Sequence, residues 1–106
     1  MVSAVEEYSK LESGLAGHPG LSSGQMFGKA CLKVNGKAFI AQHKDVVVFK
    51  LTGAEHAAAL QQPDAALWDP SGKGRPMKEW VALAAASRKE FKKLANAAMN
   101  YVSGQA

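Results

Sequence analysis

The dipeptide Asn35-Gly36, set between two stretches of alternating polarity, constrains what this chain can fold into more than any other feature. Both residues tolerate the positive φ angles of a type I′ turn, whose twist matches that of two antiparallel strands. Ala30, Leu32 and Val34 alternate with Cys31 and Lys33 before the turn, and Phe39 and Ala41 alternate with Ile40 and Gln42 after it, so a hairpin is predicted. A polar turn at Lys44-Asp45 then leads into Val46-Val47-Val48-Phe49-Lys50-Leu51, whose β-branched content favours a third antiparallel strand. The three strands form a meander.

Helix signals surround this meander. Ser3-Ala4-Val5-Glu6 has the S-x-x-E form of a capping box, and Val5, Tyr8, Leu11 and Leu15 follow as one apolar stripe, with Gly14 as a stop. Ala16 to Gly24 is dense in turn formers and reads as loop. Thr52-Gly53-Ala54-Glu55 is a second capping box, opening a short alanine-rich helix over His56 to Gln62 that Pro63 ends. Strands follow over Ala65 to Asp69 and Met77 to Leu83, joined by Pro70-Ser71-Gly72-Lys73-Gly74-Arg75-Pro76, which cannot carry a strand ladder. Ser87-Arg88-Lys89-Glu90 is a third capping box, and Phe91, Leu94, Ala95, Ala98 and Val102 continue at helical spacing up to Gly104. The expected fold is a single two-layer α+β domain over residues 1–106, in the order α-β-β-β-α-β-β-α, with an antiparallel sheet packed against helices.

Composition narrows the function classes. The net charge of +4 is spread along the chain, with six basic and four acidic residues in 1–53 and seven and five in 54–106, so no basic tail marks a nucleic-acid binder. Cys31 is the sole cysteine, which forbids an internal disulfide and points to a reducing, cytoplasmic location. The acidic start of the chain does not read as a signal peptide, and no apolar run is long enough for a membrane span.

Three blocks are familiar in combination: Met26-Phe27-Gly28, Asn35-Gly36-Lys37 with Phe39 just after, and Trp68-Asp69-Pro70-Ser71-Gly72-Lys73-Gly74-Arg75-Pro76-Met77 closed by Trp80. From about Gly20 to Val102 the chain resembles the N-terminal domain of the TfoX/Sxy family, with the Gly-Lys-Gly-Arg-Pro-Met block as the specific part. The resemblance implies a small α+β domain with an antiparallel sheet and flanking helices, as derived above. It also implies a structural role for Phe27, Gly28, Gly36, Phe39, Trp68, Pro76 and Trp80. The name-giving proteins are bacterial regulators of natural competence that act with the cyclic-AMP receptor protein and carry a second, helical C-terminal domain. The expectation here is a stand-alone copy without that second domain, a non-enzymatic module linked to transcriptional regulation through protein contacts.

Two groups of side chains are candidates for binding. Gly72, Lys73, Gly74 and Arg75 combine outward-turning backbone N–H groups with two cations, an arrangement able to hold a phosphate or another anion. A tight connection with solvated charges is the commoner meaning of such a loop, and the spacing is not that of a Walker A motif. Arg88, Lys89, Lys92 and Lys93 crowd the start of the last helix, where cations oppose the helix dipole, and they suit an acidic protein surface or nucleic acid. Together the two groups define an alternative function, a phosphate or nucleic-acid binder. Trp68 and Trp80 read as core residues before they read as a stacking platform. His18, His43, His56 and Cys31 lack metal-ligand spacing, and Glu6, Glu7, Asp69 and Glu79 do not form a catalytic pair by spacing, so no metal, cofactor or catalytic group is expected. Exposed sheet edges leave a homodimer open as a further partner arrangement.

Overall fold

The structure, a computed structural model, describes residues 3–70, 73, 74 and 76–104. It is an α+β domain with one antiparallel sheet. In chain order the elements are α1 (Ala4–Leu15), β1 (Leu21–Met26), β2 (Lys29–Val34), β3 (Lys37–His43), β4 (Val46–Lys50), α2 (Gly53–Leu60), β5 (Ala66–Trp68), β6 (Met77–Ala84), a 3-10 turn over Ala85–Glu90, and α3 (Phe91–Ser103). The six strands lie in the order β1-β2-β3-β4-β6-β5, every neighbouring pair antiparallel. No helix among the described residues is long and apolar enough to cross a membrane.

The hairpin at Asn35-Gly36 forms as its sequence dictates, with φ of 52° and 81° at the two turn residues. A second hairpin of the same kind precedes it. Phe27 and Gly28, with φ of 53° and 73°, join β2 to a strand, β1, whose first four residues fall in the stretch that reads from sequence as loop. Leu21 to Met26 carries no period-two pattern because it is an edge strand paired on one side only, so its ladder to β2 rather than its side chains defines it. The meander therefore has four strands, and the order is α-β-β-β-β-α-β-β-α.

Several local expectations are corrected: Thr52 stands at the N-cap of α2 without a side-chain capping bond, and Gly14 lies inside α1 instead of ending it. Phe39 and Ala41 do not share a face: the register of β2 against β3 shifts between Leu32 and Lys33, and the extra residue on β3 lets Phe39 and Ile40 both enter the helix-side core. Val5 lies 56% exposed, and the buried stripe of α1 starts at Ala4 and runs through Tyr8 to the partly buried Leu11 and Leu15. Ser87 does not cap a helix. Its φ and ψ of -93° and 15° interrupt the 3-10 turn, its hydroxyl donates to Asp64 Oδ1 at 2.9 Å, and α3 begins only at Phe91.

The helices cover one face of the sheet. Leu32, Val34, Ile40, Val47, Phe49, Val81 and Leu83 point toward them and meet Tyr8, Phe91, Leu94 and Val102, with the Phe49 and Phe91 rings 5.3 Å apart. The opposite face is not a solvated polar surface. The registers place Gly24, Cys31, Ala41, Val48, Ala82 and Ala66 in one transverse row across all six strands, a line of small side chains. Trp68 and Trp80 pack on this row, 5.5 Å apart, and are themselves 3% and 5% exposed. Small residues across the row leave room for the two indoles, so the sheet has a buried cluster on each side.

Candidate functional site

The loop after β5 is organised by its own acid. Asp69 accepts the Gly74 N–H at 2.8 Å through Oδ2, so this backbone donor is engaged within the chain, while Lys73 and Gly74 are exposed. Gly72 and Arg75 lie outside the described residues. Pro76 is exposed and leads directly into β6.

The aromatic residues of the same region form a clasp on the outer face. Phe27, 60% exposed at the β1–β2 turn, meets the edge of Trp68 at 6.1 Å, although the two belong to opposite ends of the strand order. Trp68 Nε1–H donates to His43 Nδ1 at 2.8 Å. Because an indole N–H can only donate, Nδ1 of His43 must be unprotonated. Burial holds the His43 pKa below its ordinary value of 6.5, the neighbouring Lys29 and Lys44 lower it further, and Asp45 opposes them. A lowered folded pKa means that this stabilisation is complete above about pH 6.5 and is lost as the pH falls from there through the folded value. In a pH titration by NMR, the Trp68 indole N–H resonance is expected to move with a midpoint below 6.5 and to stay still in His43→Phe; a midpoint at or above 6.5 contradicts the clasp.

The basic residues before and within α3 are divided by the helical turn into two sides. Arg88 and Lys92, four positions apart, border a groove between α1 and the start of α3, whereas Lys93 borders a smaller depression between α2 and α3 together with Glu55 and Glu90. Lys89 is exposed and lines neither, so the structure does not assemble the four cations into one patch. None of the four makes an ion pair among the described residues.

The larger groove, of about 400 Å³, combines two chemistries. Leu11 and Leu15 of α1 and Phe91 and Ala95 of α3 give it an apolar floor, and Asn96 also lines it. Lys10, Arg88 and Lys92 supply three cations against one acid, the buried Glu7, whose carboxylate is paired with Lys10 at 3.1 Å. Both helices are amphipathic, and residues at the edge of each apolar stripe line the floor. Gly14 also lines it, at a position where a Cβ would meet nothing within 4 Å. Sequence reasoning misses the α1 contribution to this groove: Leu11 and Leu15 read as part of the core stripe, and only the structure shows them partly open.

Carboxylates elsewhere serve the fold. Asp64 accepts from the Ala84 N–H and the Ser87 hydroxyl, tying the chain after α2 to the end of β6. Glu79 accepts from the Tyr101 hydroxyl and lies 4.0 Å from Lys50, which anchors the end of α3 to the sheet. Cys31 is fully buried, and burial pushes its thiol pKa up against the opposing effect of Lys33, the reverse of what a reactive thiol needs. Comparison with family models, with curated proteins and with solved structures gives no significant match.

Proposed function

We propose that this protein is a non-enzymatic, cytoplasmic interaction module that docks a partner protein in the groove between α1 and the start of α3. The observation that carries this reading is the groove itself: an apolar floor between two helices, rimmed by Lys10, which pairs with Glu7, and by the exposed Arg88 and Lys92, which have no ion-pair partner among the described residues. The acids Asp64, Asp69 and Glu79 support the non-enzymatic part, because each is engaged in a bond that holds the fold. The TfoX/Sxy resemblance of the Phe27, Asn35 and Trp68 blocks fits such a module and suggests a role in transcriptional regulation through protein contacts. The phosphate-binding alternative draws less support from the Asp69 carboxylate, which sits on the Gly74 N–H that an anion would use.

The test is an unbiased one. Peptides selected from a random displayed library are titrated into the isotope-labelled protein, and amide shifts locate their binding. Shifts confined to residues 7–15 and 88–96 are expected. Binders that map elsewhere, or a selection that yields none, overturn the reading.

A further inference from the structure

The charges around the groove say what kind of segment it receives. We infer that the occupant is an acidic amphipathic helix of a partner protein, an inference that rests on the groove being a docking site. Arg88 and Lys92 are exposed, lie one helical turn apart on the same side, and are unpaired among the described residues, whereas Lys10 across the groove is held by Glu7. Lys92 also stands in the first turn of α3, where its charge adds to the positive end of the helix dipole. Within the chain this placement is unfavourable. Carboxylates one turn apart on a docked helix would lie against both cations and relieve it.

The backbone chemistry of the site selects a helix over an extended segment. The groove lies in the helical layer, whose peptide groups already bond within α1 and α3, so an added strand finds no edge to pair with. A helix satisfies its own backbone and needs only apolar anchors for the floor and acids for the rim. Gly14 lines the groove, and a Cβ there meets only open space, so a longer side chain can be placed at this position without a clash in the free protein. An anionic membrane would meet the same cations, but the apolar surface is recessed between helices instead of projecting from them.

The probes are a synthetic amphipathic helix with leucine anchors and glutamates one turn apart, its glutamine and lysine counterparts, and vesicles of phosphatidylglycerol. The acidic helix is expected to shift the amides of 7–15 and 88–96, to weaken as salt is raised, and to bind about tenfold more tightly than the glutamine version. Arg88→Glu/Lys92→Glu should reverse the preference toward the lysine helix. Gly14→Gln should block binding while the spectrum stays that of the folded protein. Equal binding of the acidic and glutamine helices in the groove overturns the acidic inference and leaves the docking reading standing. A failure of every helix to shift the groove removes both, and vesicle binding through these residues in place of the helices overturns the inference in favour of a lipid surface.

Discussion

Trp68→Ala is expected to destabilise the protein by about 3–5 kcal/mol and, in the same variant, to open Cys31 to thiol reagents. The indole is 3% exposed and lies in one cluster with Cys31, Ala41, Val48, Trp80 and Ala82, all on the face of the sheet away from the helices. Cys31, Ala41, Val48 and Ala82 beneath it are too small to close the space it fills, so a cavity forms instead of a collapse. Two features with one cause oppose reaction of Cys31 in the native protein: it is fully covered, and burial raises its thiol pKa. Denaturant unfolding gives the stability loss, and modification by a chromogenic disulfide under native conditions gives the exposure. A loss below about 1 kcal/mol with Cys31 still protected would mean that the second face is ordinary surface.

Phe49→Ala is expected to cost a similar amount, about 3–5 kcal/mol, with Cys31 still protected. Phe49 stands on β4 next to Val48 but points to the other face, where it is fully buried against Phe91. The pair of variants thus separates the two clusters that one strand serves. A domain of this size has a total stability of roughly 5–15 kcal/mol, so either variant brings the protein near the edge of folding. If Phe49→Ala exposed Cys31 as readily as Trp68→Ala, the two faces would be opening as one unit and the division drawn here would be wrong.

The parts of the fold legible in the sequence are those whose cause is local. Asn35-Gly36 carries its turn geometry in its own φ preferences, and the stripe from Phe91 to Val102 carries its helix in its own spacing. Ser3 caps α1 as its motif states, accepting the Glu6 N–H at 3.2 Å. The parts that were not legible have distant causes. Leu21 to Met26 becomes a strand because β2 pairs with it. The Ser87 motif fails as a cap because its backbone sits inside a 3-10 turn and α3 begins only at Phe91, while its hydroxyl donates to Asp64, 23 residues away. The groove joins residues 7–15 to 88–96, and no pattern within either segment reveals that they meet. The basic run from Arg88 to Lys93 is visible as composition, but the helical turn that sends Arg88 and Lys92 to one side and Lys93 to the other is a matter of three-dimensional phase.

The most direct measurement compares thermal unfolding of the parent and of Arg88→Gln/Lys92→Gln, each alone and with saturating acidic helix. If the cations serve a partner instead of the fold, the free variant unfolds at the same temperature as the parent or a few degrees above it, since a cation is removed from a helix N-terminus. The acidic helix then raises the parent by on the order of 10 °C at a hundredfold excess over its Kd, and the variant by about half as much or less. A free variant that melts more than about 4 °C below the parent, or an equal rise in both proteins, would contradict the assignment of this groove.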